Sequence, residues 1–165
     1  MPFDPRDHGA RCNECPLGPR GCLRDDDEWQ PVRSELHADA TVLAVGRCPG
    51  PEETQSGRPI GGRSASEWAA ALSASSRRRP DVDLTYVVAC QPPGRPSGAW
   101  TRMEKKLDRM NKKRTREGLL PIPHPAACCR PRLLETASRY DNIILLGRVA
   151  MRALTGRNIS IQSAR

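Results

Sequence analysis

The sequence predicts a three-layer α/β/α domain around a central, mainly parallel sheet, and three observations carry that reading. Three short apolar runs, residues 40–46 (ATVLAVG), 84–90 (LTYVVAC) and 142–147 (NIILLG), have the length and composition of buried strands. Segments of helical periodicity lie between them, so strand and helix alternate along the chain. None of the runs alternates polar with apolar residues, which suits a sheet covered on both faces.

Each element follows in order. Residues 1–39 lack periodicity and read as a cysteine-containing N-terminal loop region with Cys12, Cys15 and Cys22. The first strand, 40–46, ends in glycine and opens into a Gly- and Pro-rich loop, 47–63. A helix is expected over 64–74, with Ser64 as its cap and Trp68 and Leu72 on one face. The second strand, 84–90, is stopped by Gln91-Pro92-Pro93-Gly94. Residues 100–116 form an amphipathic helix whose apolar stripe is Trp100, Met103, Leu107 and Met110. A further helix is expected over 126–140, then the third strand, then a helix starting at 148–154. The 165 residues suit one single domain, 1–165. In such sheets ligands bind beyond the C-terminal strand ends, so the loops after Gly46, Cys90 and Gly147 are expected around the site.

Composition narrows the function. No apolar run approaches the roughly 18–20 residues that span a bilayer, so no membrane association is expected. The first residues carry acids and prolines rather than the pattern of a signal peptide, and a cytoplasmic location is the expectation. The net charge is +8, of which residues 100–116 carry +6, from eight Lys or Arg against Glu104 and Asp108. Charge so concentrated suits a polyanion, and suits equally the solvated face of a helix. Seven cysteines, an odd number in a chain expected to be reduced, point to metal or cluster ligation rather than disulfides.

Several motifs fall in one order. They are Cys12-Asn13-Glu14-Cys15-Pro16-Leu17; Gly46-Arg47-Cys48-Pro49-Gly50-Pro51-Glu52-Glu53; Gly57-Arg58-Pro59-Ile60-Gly61-Gly62-Arg63-Ser64; Val87-Val88-Ala89-Cys90-Gln91-Pro92-Pro93-Gly94; Cys129-Arg130-Pro131-Arg132-Leu133; and Leu145-Leu146-Gly147-Arg148-Val149-Ala150. Together they resemble the family 4 uracil-DNA glycosylases, the iron–sulfur branch of that superfamily, over roughly residues 12–154. The resemblance implies a uracil-DNA glycosylase-like fold, a DNA-repair hydrolase of the N-glycosidic bond, and a [4Fe-4S] cluster. The ligands it implies are Cys12, Cys15, Cys90 and Cys129, with the cluster ordering loops that face DNA. Spacing alone leaves open a zinc ion on the same cysteines, and with it an unrelated zinc-binding α/β protein. Cys128 stands one residue off the Cys-x-Pro-x-Leu pattern, and Cys22 and Cys48 read as plain thiols.

The same resemblance assigns the site. A glycosylase flips the base from the stack, reads its edge, stacks it on an aromatic ring and stabilises a cationic sugar. Glu53 falls on the family's second acidic position, and Glu52-Glu53 offer carboxylates to orient water or offset developing charge. The bland alternative is a loop carboxylate or helix cap. Gly46, Arg47, Cys48, Pro49, Gly50, Ile60 and Tyr86 fall on the substrate-binding loops. Arg47 stands where the family has glutamate, Ile60 where it has the stacking aromatic, and Tyr86 where it has the asparagine that reads uracil. The family's His-Pro-Ser/Ala motif has no counterpart after the Leu-Gly-Arg strand, and His124-Pro125-Ala126 lies before Cys129 instead.

Relative to the family, residues 97–125 are a basic insertion that parts Cys90 from Cys129 by 38 residues. A uracil-crosslinking branch of the superfamily carries a basic insertion there that ends in a reactive histidine; none lies between residues 100 and 123. Lys105, Lys106, Arg109, Lys112 and Lys113 are the expected phosphate contacts. Two functional readings stand side by side. One is an iron–sulfur protein that binds DNA and removes uracil or another altered base. The other is a degenerate DNA-binding module, monomeric, within a larger replication or repair protein.

Overall fold

A computed structural model describes residues 3–24, 29–95 and 97–157. Three parallel strands, β1 (Val42–Gly46), β2 (Val82–Tyr86) and β3 (Asn142–Leu145), form a sheet in the order β2-β1-β3. Val42 pairs with Val82 and Asn142, and Gly46 pairs with Tyr86. Parallel strands need long crossovers, here supplied by α1 (Pro51–Ser56), α2 (Gly62–Ala74), α3 (Ala99–Arg116) and α4 (Pro125–Ala137). Helix α5 (Arg148–Thr155) follows β3.

The layers follow from which residues each strand sends to each face. Leu43 and Val45 of β1 pack with Trp100, Met103 and Leu107 of α3, Leu133 of α4 and Ala150 of α5. Val42 and Ala44 point the other way, toward Leu72 and Trp68 of α2. The expected apolar stripe of α3 is therefore its buried face, with Met110 half-buried against the same core. Full cover on both faces holds for β1 and β2, where every residue is buried, and not for edge strand β3, where Ile144 is exposed.

Beyond shifts of a few residues at the ends of β1, β3, α3 and α4, three elements differ from expectation. Strand β2 starts and ends earlier than residues 84–90, because it accepts a charged residue that apolar patterning passes over. Asp83 is fully buried and accepts hydrogen bonds from the His37 backbone N–H at 2.8 Å and from the Tyr140 hydroxyl, with His37 Nδ1 at 3.0 Å. Past Tyr86 the chain bends, although the Val87 and Val88 amides still donate to the carbonyls of Gly46 and Arg47. Helix α2 is capped by Gly61 rather than Ser64. Helix α1 forms inside the expected loop, with Pro51 pre-set for its first position.

The N-terminal region is stitched to the core by backbone hydrogen bonds. Arg11 donates to the Cys128 carbonyl at 2.9 Å, Val32 to Ala89 at 2.8 Å, and Glu35 pairs with Leu84 in an antiparallel bridge. Among the described residues no helix is long and apolar enough to cross a membrane.

Candidate functional site: a closed loop cluster beside a cysteine-lined core

The first part of the site lies at the C-terminal ends of β1 and β2. The Tyr86 ring lies across Gly46 so closely that a Cβ there would meet two ring carbons at 2.8 Å, which is why glycine ends β1. The Tyr86 hydroxyl accepts a hydrogen bond from the Ile60 amide at 2.9 Å. Burial pushes that phenol above its ordinary range, so it stays protonated. Ile60 is buried and has φ of 48°, a left-handed conformation that is costly for a β-branched residue. It is held there by Tyr86 and by Arg79, whose guanidinium donates to the carbonyls of Pro59 and Ile60 while gripping Glu35 at 2.7 and 2.8 Å.

Glu53 is 7% exposed and fully engaged. One carboxylate oxygen accepts from the Gly50 amide at 2.8 Å and the other from the Gly61 amide at 3.0 Å. It therefore ties the start of α1 to the loop that enters α2. Its neighbour Glu52 is exposed on the first turn of α1. Pro49 is buried, and Cys48 is half-buried with its thiol pushed up by desolvation. Arg47 turns outward, its guanidinium 5.7 Å from the Trp100 ring at the start of α3.

The second part is a group of buried cysteines. Cys12, Cys15, Cys90, Cys128 and Cys129 all lie in the core, between the N-terminal loop, the chain after β2 and the start of α4. They are close enough to act on one another electrostatically: Cys129 on Cys12 and Cys90, and Cys128 on Cys15. Burial pushes the thiols of Cys12 and Cys90 up to about 12. A hydrogen bond with Cys128 raises Cys15 and lowers Cys128. Left alone, most of this group stays as neutral thiol; a bound cationic centre would be needed to stabilise the thiolates. The loop wraps tightly, since a Cβ at Gly18 would fall 1.8 Å from the Cys12 carbonyl oxygen.

Two buried N–H groups near these cysteines lack partners, Trp29 Nε1 beside Cys90 and Arg132 Nε beside Cys129. The Trp29 indole nitrogen lies beside the Cys90 sulfur without a well-aligned hydrogen bond to it. Buried donors without acceptors are unusual, and a sulfide-rich cluster supplies acceptors. Among the described residues no three His, Cys, Asp or Glu side chains close on a point as around a single ion. Five buried cysteines with two buried donors beside them are, in their chemistry, a donor set of the kind a cluster takes.

The third part is the exposed face of α3, which presents Lys105, Lys106, Arg109, Lys112 and Lys113. His124 caps α4, its Nδ1 accepting from the Ala126 amide at 3.2 Å, and meets Trp100 edge-on. The His-Pro-Ala tripeptide is thus a helix start.

The structure gathers Gly46, Gly50, Glu53, Ile60 and Tyr86 into one cluster and leaves Glu52 and Arg47 at its rim. Sequence reasoning missed Arg132, which is 2% exposed on α4 three residues after Cys129. It donates to Thr85 Oγ1 at 3.1 Å and to the Tyr86 carbonyl, joining the cysteine group to the Tyr86 cluster. An arginine inside an apolar helical stripe was the available signal.

Comparison with known proteins agrees with this arrangement. The family model of the uracil DNA glycosylase superfamily matches residues 34–164. The type-4 uracil-DNA glycosylase of Thermotoga maritima is 35% identical over 83 residues, 50% of this chain and 40% of that protein. The type-4 enzyme of Pyrobaculum aerophilum is 35% identical over 82 residues, 50% of this chain and 38% of its own length. The matched region therefore spans well under half of either relative. With a parallel sheet that places its loop cluster at the strand ends and a family match over most of its length, the chain belongs to the uracil-DNA glycosylase superfamily, as a member similar to the type-4 branch.

Proposed function

We propose that this protein is an iron–sulfur, DNA-binding member of its superfamily that works in DNA repair as a monomer, with its base-recognition recess closed by its own side chains. The observation that carries this is Tyr86. Where the resemblance places an amide that reads uracil, a phenol lies on Gly46 and bonds to the Ile60 amide. A flipped base would have to displace that ring and break its hydrogen bond. Glu53 is likewise committed to two backbone amides, and it serves to hold the loop. Cys12, Cys15, Cys90 and Cys129 would hold a [4Fe-4S] cluster, which when bound supplies a structural cross-link between the N-terminal loop and the core.

DNA contact falls to Arg47 and to Lys105, Lys106, Arg109, Lys112 and Lys113. Five such contacts on α3 would give a log–log salt slope of about −3.5 on single strands and about −4.5 on duplex. A second reading, excision of uracil or another altered base, is favoured by Glu52, a carboxylate exposed beside the same loop and able to position water. The test is anaerobic purification with iron and sulfide analysis, salt-dependent binding, and alkaline detection of abasic sites in a uracil oligonucleotide. Salt-dependent binding without abasic sites by the iron-loaded protein supports the binding reading. Strand cleavage that is lost in Glu52→Gln would replace it with the enzymatic one.

A further inference from the structure

Helix α3 ends in a feature that phosphate contact does not use. Leu120 is 83% exposed and Leu119 48% exposed, side by side just after the helix. Single exposed leucines are ordinary, but this pair is held in place. The Leu119 amide donates to the Arg114 carbonyl at 2.9 Å after Gly118 turns the chain at φ of 72°. Arg114 Nε donates to the Leu120 carbonyl at 2.8 Å. Asn111 then clamps both backbone groups of Ile122, accepting from its N–H at 2.7 Å and donating to its C=O at 3.0 Å. Four hydrogen bonds within twelve residues make a stiff turn that presents two apolar side chains to solvent.

The surroundings decide what that turn fits. Lys112, Lys113 and Arg116 are exposed on the last turns of α3, and Glu117 offsets only Lys113, at 3.8 Å. A hollow of about 390 Å³ lined by Asp108, Asn111, Lys112, Thr115 and Arg116 runs along the helix beside it. An apolar tip that directly follows a helix end carrying three exposed cations matches a partner whose surface is anionic and whose interior is apolar and stacked. Base steps behind phosphates have that character, and apolar side chains wedged between them are a known way of holding DNA.

We propose that Leu119 and Leu120 form a wedge that enters the base stack of duplex DNA lying along α3. This deepens the DNA-binding reading and rests on it. The 18 residues of α3 span about 27 Å, or roughly eight base-pair steps, so the wedge acts well away from the Tyr86 cluster. It adds a contact that salt does not screen, and it fixes where along the duplex the helix sits.

The test uses the full chain and a short duplex carrying a fluorescent adenine analogue at successive positions. Leu120→Ser touches no core residue and should leave the fold unchanged. It is expected to weaken binding about tenfold at every salt concentration, with the salt slope unaltered, and to abolish a local fluorescence rise that wild type produces. Leu120→Phe should restore both. Unchanged affinity and fluorescence in Leu120→Ser would overturn the proposal. So would a change confined to self-association in sedimentation, which would make the tip a protein contact. Failure of the underlying reading looks different: wild type itself would bind without salt dependence, and Lys112→Glu with Lys113→Glu would change nothing.

Discussion

Glu53→Ala separates a structural carboxylate from a catalytic one. In the folded protein Glu53 accepts two amides, from Gly50 at 2.8 Å and Gly61 at 3.0 Å, and is 7% exposed. Truncation leaves both N–H groups without acceptors. Each costs about 1–3 kcal/mol if fully buried, and both glycines are half-buried, so the expected loss is about 2–4 kcal/mol. For a domain of this size that lowers the melting temperature by about 5–12 °C. Urea unfolding at neutral pH measures it, with the slope held equal to wild type. Glu53→Gln should fall between, because its oxygen keeps one amide while its NH₂ faces the other donor. A loss below about 0.5 kcal/mol in Glu53→Ala would refute the clamp and return the residue to chemistry. A destabilised variant that also lost activity would say nothing about catalysis.

Tyr86→Phe keeps the ring on Gly46 and removes only the acceptor for the Ile60 amide. Hydrogen exchange at that amide should accelerate and stability fall by about 1–2 kcal/mol; unaltered exchange would show that the hydroxyl holds nothing. Arg132→Met removes a buried cation next to the cysteines and strands the Tyr86 carbonyl. Cluster-loaded variant protein should have a lower reduction potential than wild type by voltammetry, and an equal or higher one would refute the charge argument. The Arg79 guanidinium beside Glu35 holds that carboxyl below its ordinary value of 4.5. The folded state therefore binds fewer protons than the unfolded chain, and the pair's contribution is present above about pH 4.5 and lost as pH falls through the depressed value. Glu35→Gln should flatten that part of the acid-unfolding profile, and an identical profile would count against the pair.

The layers and the parallel sheet were legible because hydrophobic runs alternating with helical segments report burial, whereas the strand order β2-β1-β3 is seen only in the structure. The basic helix was legible to within one residue at its start, since its apolar stripe and its charge agree. The errors came where polar groups are buried with partners distant in sequence. Asp83 belongs to a strand only because His37 and Tyr140 satisfy it, and neither lies near it in the chain. Arg132 is tolerated in the core because Thr85 Oγ1 and the Tyr86 carbonyl accept hydrogen bonds from its guanidinium. The resemblance located Glu53, Ile60 and Tyr86 as a group, but residue type alone did not say that they would bond to the loop backbone instead of standing open.

These substitutions make one physical unit. An arginine at position 47 near a developing sugar cation would oppose excision, yet here its guanidinium leans on Trp100, the first large buried residue of α3. A cation over an indole face is worth roughly 0.5–2 kcal/mol, enough to bias the loop toward the helix. An acid at position 47 would lose that contact. Tyr86 acts on the same loops, since its ring lies on Gly46 and its hydroxyl accepts from the Ile60 amide. The Arg47–Trp100 contact on one side and the Tyr86–Ile60 bond on the other thus fix the loop between β1 and α2 against the body of the domain.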